Sequence, residues 1–205
     1  FAGRVDLNSV TPPTQKVWAG EGVTPVVLVH TDWTWSDTDK YLGIKGGKAR
    51  SSHAHMDAGS FVYDAYGVRW SMDIGRQDYA TLEVALKALG GNLWTYTQAS
   101  LRWEVSRLNN FFHSTLTVND SKHRVEGFAT LEQTINTATE QGGTFDLSPV
   151  LEDQVASAMR TVKIVYQTVS EGDDIGEATI RIDATTVGMG VLDVIYDVPV
   201  QQDVP

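Results

Sequence analysis

The chain has 205 residues, no cysteine, and a formal charge of −10 from 16 basic and 26 acidic side chains. That length can bury a sizeable core in one or two domains, and the missing thiols exclude disulfide scaffolds, thiolate metal centres and cysteine nucleophiles. The acidic balance gives the long-range field the wrong sign for nucleic acid or an anionic membrane, and no apolar run reaches the roughly 20 residues of a membrane helix.

The sequence begins at Phe1 with no charged and apolar leader behind it, and it reads as a piece of a longer protein. Residues 1–24, with Thr11-Pro12-Pro13-Thr14, read as a lead-in or linker. Pro25 to Thr31 is nearly continuous apolar and suits a buried strand. Ser60 to Asp64 and Val68 to Ile74 flank Ala65-Tyr66-Gly67 and predict a hairpin. Tyr79 to Leu89 carries Leu82, Ala85, Leu86 and Leu89 at helical spacing, with Gly90 where a C-terminal cap belongs. Leu101 to Leu108, Ser114 to Val118, Met159 to Val169 and Ala178 to Ala184 predict further strands. In the third of these, Arg160, Val162, Ile164 and Tyr166 share one face. Residues 201–205 read as a tail. Many short strands with regular turn signals predict an all-β antiparallel sandwich with one short helix, spanning 25–200.

The chemistry gathers in His53-Ala54-His55-Met56-Asp57. On a strand both imidazoles would point to one side, roughly 6–7 Å apart, and could address one metal or one substrate; the plainer reading is two polar residues on a solvated strand. Asp73 and His113, the latter behind Asn109-Asn110, could extend a first shell of imidazole and carboxylate suited to zinc. Lys45, Lys48 and Arg50 make an acid-free basic run beside the histidines, fit for an anionic substrate group or simply a solvated loop. Neither a P-loop, a dinucleotide fingerprint nor a nucleophile elbow is present. Trp33 and Trp35 could form a sugar-stacking face. Trp70 and Trp103 read as core residues inside strands, His30 as a satisfied core histidine and His123 as an exposed turn residue. Tyr79 follows Asp73 closely enough to approach the same site.

Residues 41–79, YLGIKGGKARSSHAHMDAGSFVYDAYGVRWSMDIGRQDY, resemble the heparinase II/III-like polysaccharide lyases, whose pattern is a KGG turn, H-x-H-x-D-x-G-S-F and G-x-R-W-x-x-D-x-G. The segment 107–119, RLNNFFHSTLTVN, resembles that family's next motif. The resemblance implies the C-terminal β-sandwich of an (α/α) toroid enzyme, with the active site in the cleft between the two parts. It implies one structural zinc held by His55, Asp73 and His113, with His53 on the catalytic side and Tyr79 as a cleft residue. Lys48, Arg50 and Trp35 are then candidates for substrate binding. The reaction implied is β-elimination at a uronic acid of an acidic polysaccharide, heparin-like or alginate-like, outside the cell or in the periplasm. The principal tyrosine acid/base would belong to the toroid, so the domain alone would be inactive or nearly so. Two other readings stand beside this one. The first is a non-catalytic carbohydrate-binding sandwich using Trp33, Trp35 and the basic run. The second is a docking domain whose apolar face is covered by the toroid, or by a second copy in a homodimer.

Overall fold

The computed structural model of the chain describes residues 9–33, 36 and 38–166, together with the backbone of 178–186 and 192–196. Two antiparallel five-stranded sheets form an all-β sandwich. The first is a meander of β1 (Val17–Gly20), β2 (Val26–His30), β3 (Tyr41–Lys45), β4 (Phe61–Ala65) and β5 (Val68–Ser71). The second runs β6 (Thr130–Asn136), β7 (Glu140–Asp146), β8 (Ala158–Tyr166), β9 (Ala178–Thr186) and β10 (Leu192–Tyr196), again pairing neighbours in sequence. β1 falls inside the stretch expected as a lead-in and forms the edge of the first sheet beside β2.

Alternation decides which residues face inward. Val27 and Val29 of β2, Leu42 and Ile44 of β3, and Phe61 and Tyr63 of β4 join Phe145, Val162 and Ile164 of the second sheet in one buried cluster. The expected face of β8 is the buried one: Arg160, Val162 and Ile164 are interior, and Tyr166 packs against the same cluster. The β4–β5 hairpin turns through Tyr66 and Gly67, at φ 54° and 69°. This left-handed pair is what a tight hairpin needs, and Gly67 supplies half of it without strain.

Between β5 and β6 the chain builds a second, smaller core under the helix α1 (Tyr79–Ala88). Asp78 caps α1 by accepting from the Thr81 amide at 3.0 Å. The buried Leu82 and Leu86 of α1 pack with Ala49, Met56, Leu93, Trp103, Leu108 and Val125. The long β3–β4 connection therefore straddles two cores, with Met56 in the lobe and Ala58 in the sandwich. That anchoring positions the site.

Several expected elements differ. Leu101 to Leu108 is not a strand: Leu101–Glu104 forms a 3-10 turn because the Ser100 hydroxyl accepts from the Arg102 amide. Ser114 to Val118 is not one either. The Thr115 hydroxyl there donates to the Ala58 carbonyl, and the Thr117 hydroxyl accepts from the Asn110 carboxamide, so side-chain contacts with loop neighbours tie the segment down without strand pairing. Trp103 is core as expected, though in that turn. Trp70 lies on the edge strand β5, 51% exposed, with its indole N–H donating to the Ala65 carbonyl. The residues expected to extend β8 to Val169, and the 201–205 tail, lie outside the described residues.

Candidate metal centre

The β3–β4 connection begins at the KGG turn. Gly46 has no room for a side chain: a Cβ there would meet the Ala129 carbonyl at 2.5 Å and the Phe145 ring at 2.9 Å. Gly47 adopts φ 90° and exchanges backbone hydrogen bonds with Ala129, tying the start of the loop to the second sheet. The chain then turns at Ser51 to Ala54, the Ala54 amide donating to the Ser51 carbonyl at 3.1 Å. His53 sits there at φ 63°. The two histidines are thus on a turn, not on a strand, and they serve different neighbours.

His53 faces Tyr79. Its Nδ1 lies 3.0 Å from the phenol oxygen and the rings stack at 5.4 Å. Trp94 meets both rings edge-on, and the His53 amide donates to the Tyr96 hydroxyl. His55 instead faces His113, at 5.4 Å between ring centroids. Ligand-capable atoms of His55, Asp57 and His113 all lie within 4.8 Å of one another. Asp57 was not among the residues expected to ligate, although it closes the H-x-H-x-D run. Lys45 donates to its Oδ1 at 2.5 Å.

Asp73 approaches His113 from the end of the β4–β5 hairpin. Its Oδ2 lies 2.5 Å from His113 Nδ1, and its Oδ1 accepts from the Gly75 amide at 2.7 Å. The hydrogen bond with His113, followed by that with Gly75, outweighs burial and holds the Asp73 carboxyl below its ordinary range. Burial pushes the His55 imidazole down, so at neutral pH it is uncharged and offers a lone pair.

The bonding of His113 is the informative detail. Its Nε2 lies 3.1 Å from the Arg107 carbonyl, which can only accept, so Nε2 carries the proton. In a neutral imidazole Nδ1 is then a bare acceptor, yet it faces a carboxylate at 2.5 Å in a side chain wholly removed from solvent. That leaves Nδ1 as the ring nitrogen available to an ion, with the Asp73 carboxylate beside it. Two imidazoles and one carboxylate, those of His55, His113 and Asp57, have ligand-capable atoms within 4.8 Å of one another, a set suited to a borderline divalent ion, and the expected ligand Asp73 stands outside that set as the partner of His113.

The surroundings support this arrangement. Arg107 donates to the Ile74 carbonyl beside Asp73. Asn109 caps the Phe111 amide, and Asn110 bonds Thr117, Ser121 and the His123 amide, which accounts for the asparagine pair before His113. Arg102 is fully buried: its guanidinium donates to the carbonyls of Leu93 and Ala54 at 2.8 Å each. Ala54 separates the two site histidines, so Arg102 holds the turn that divides their roles. Sequence reading missed it, since an arginine amid apolar residues carries no spacing signal.

A cleft of 520 Å³ joins these parts, lined by Lys45, His53, His55, Asp57, Asp73 and Tyr79, with Arg76 at its wall. Arg76 was also missed, although it lies inside the 41–79 block. The basic run is largely neutralised: Lys45 pairs with Asp57 and Arg50 with Glu126. Lys48 is half-buried and lines neither this cleft nor its neighbour. Arg50 lines the neighbouring pocket. Trp35 lies outside the described residues. Trp33 lines a separate 840 Å³ groove with Trp18 and Tyr41. His30 is buried and bonds Asp39 at 3.1 Å, as a core histidine should. His123 is corrected from an exposed turn residue to a buried one, 1% exposed. Its Nε2 donates to the Leu116 carbonyl at 2.8 Å, because the 105–126 segment folds beneath the lobe while Lys122 and Arg124 carry the surface charges.

The family model for the heparinase II/III-like C-terminal domain matches residues 26–148, more than half of the chain. The chain belongs to that family. No curated protein matches it at the significance such a comparison requires. The matched span of this heparinase II/III-like domain runs from β2 through β7 and contains His53, His55, Asp57, Asp73, Tyr79 and His113. No helix among the described residues is long and apolar enough to cross a membrane.

Proposed function

We propose that this heparinase II/III-like domain is the zinc-bearing part of a polysaccharide lyase that cleaves uronate-containing glycans by β-elimination. The observation that carries this reading is one cleft containing both a metal-competent cluster and a separate histidine–tyrosine pair. His55, Asp57 and His113 would hold the ion, with Asp73 beside His113, and the ion would supply a fixed positive charge that ties these loop segments together beneath the cleft.

In β-elimination a base takes the proton beside the uronate carboxylate, a C=C bond forms, and the C–O bond to the leaving sugar breaks as that oxygen is protonated. The exposed Arg76 cation stands at the cleft wall where a substrate carboxylate would be neutralised, which makes the adjacent proton more acidic. His53 and Tyr79 share one hydrogen bond, so a proton lost or gained by the phenol is balanced at the imidazole. The rest of the acid–base set belongs to a toroid domain elsewhere in the protein. Such an enzyme works outside the cell or in the periplasm, where these polymers are met.

The test uses the full protein with uronate polymers, following the ultraviolet absorbance of the unsaturated uronate product. His53→Ala should lower kcat at least a hundredfold with the metal still bound. Absence of any unsaturated product from the wild type on glycosaminoglycans and alginate alike would refute the lyase reading.

A second reading, carbohydrate binding without catalysis, draws on the groove lined by Trp18, Trp33 and Tyr41, which shares no lining residue with the metal cleft. Under it, Trp33→Ala abolishes oligosaccharide binding and His53→Ala does not.

A further inference from the structure

The metal cleft does not end at the histidine turn. Ser51 and Ser52 line it on one side and line a second pocket of 460 Å³ on the other. Across that second pocket stand Trp94, Tyr96 and Thr97, with the Arg50–Glu126 ion pair at its edge.

Three features distinguish this pocket from an incidental hollow. Trp94 is 42% exposed, yet its indole is fixed: the ring N–H donates to Glu83 at 2.6 Å, and its backbone amide donates to Asn92 at 2.8 Å. The same indole touches the His53 and Tyr79 rings edge-on, so the pocket abuts the reacting pair. Among the described residues, the hydroxyls of Ser51, Ser52 and Thr97 make no hydrogen bond within the protein. An immobilised aromatic surface with several unengaged hydroxyls matches the two sides of a pyranose, an apolar C–H face and a ring of O–H groups. The charge balance selects further. Arg50 is cancelled by Glu126, so the pocket carries no net charge to attract a carboxylate.

We propose that the Trp94 pocket is a second sugar subsite of the cleft and takes a neutral, hydroxyl-rich pyranose next to the uronate in the same polymer chain. The proposal rests on the lyase reading and adds the neighbouring unit to it. The domain then reads two consecutive sugars, one charged and one neutral.

Calorimetry on this chain, loaded with zinc, tests it using an unsulfated hexuronate–hexosamine disaccharide and tetrasaccharide, and a homopolyuronate tetrasaccharide. The alternating tetrasaccharide should bind about tenfold more tightly than the disaccharide, equivalent to filling one further subsite. Trp94→Ala should collapse that ratio towards one, and Trp94→Tyr should restore most of it while far-ultraviolet melts show both variants folded. Glu126→Gln, which releases the Arg50 charge, should tighten the homopolyuronate severalfold. A length gain that survives Trp94→Ala overturns the subsite alone. Tighter wild-type binding of the homopolyuronate than of the alternating tetrasaccharide overturns its preference for a neutral ring. No binding by any of the three overturns both the subsite and the acidic-glycan reading beneath it.

Discussion

His113 Nδ1 and Asp73 Oδ2 lie 2.5 Å apart, while His113 Nε2 is committed to the Arg107 carbonyl. The pair joins residues 40 positions apart, from the end of one hairpin and the far side of the lobe. The ligand-capable atoms of His55 and Asp57 lie within 4.8 Å of those of His113, so Asp73 stands beside the candidate ion site as the carboxylate that orients one of its imidazoles. Replacing Asp73 by Asn keeps the shape and removes the charge. Asp73→Asn should weaken zinc binding by about ten- to a hundredfold, measured by competition with a chromophoric chelator. His113→Ala should weaken it at least as much.

Arg102 yields a stability prediction. Its two hydrogen bonds satisfy carbonyls in the buried lobe, and the Tyr96 and Trp103 rings face its guanidinium at 4.6 and 5.1 Å. Arg102→Met leaves the Leu93 and Ala54 carbonyls without those donors and should cost about 3 kcal/mol in urea unfolding. It should also displace the His53–Tyr79 contact, visible as a change in tryptophan fluorescence from Trp94.

The KGG turn offers a steric test. Gly46→Ala drives a methyl group into the Ala129 carbonyl and the Phe145 ring. The loss should be about 1–3 kcal/mol, read from the shift of the urea midpoint.

His123 gives the pH dependence. Burial pushes its imidazole down to about 4 from an ordinary 6.5, against the smaller opposing pull of its bond to Leu116 and of Asp57, with the charges of His113 and Arg160 adding to the depression. Between these values the unfolded chain binds a proton that the native state refuses. Stability is therefore full above pH 6.5 and falls as pH drops towards 4, by about 3 kcal/mol in total. Asp73 acts lower on the scale: its depressed carboxyl contributes stability above its unfolded value and loses it as pH falls through the folded one. Melting temperatures between pH 7 and 4.5 should show the His123 slope, and His123→Gln should flatten it.

The strands that alternate cleanly were legible because burial on one face imposes period two; β2, β4, β8 and the hairpin through Gly67 lie close to their expected positions. The 101–126 region was not. Its β-branched and aromatic residues resemble strand material, but buried side chains such as Arg102, Asn110 and His123 hold the backbone in turns, and those partners are distant in sequence. The site divided along the same line. His53, His55, Asp73, Tyr79 and His113 were readable as a set, and the structure brings them to one cleft or its edge. Which histidine serves which neighbour depended on the φ 63° turn at His53, which alternation could not reveal. Asp57 was hidden because it reads equally well as a salt-bridge partner for Lys45, which it also is. Trp70 was misread because an aromatic on an edge strand looks the same in sequence as one on a central strand.

The most direct measurement is the metal content of this chain purified without added metal, by mass spectrometry, with melting temperature followed before and after dialysis against a chelator. The account predicts about one zinc ion per chain, lost on chelation with a clear fall in melting temperature and absent from His113→Ala. A metal-free protein whose melting temperature is unchanged by zinc, by chelator and by His113→Ala would contradict it.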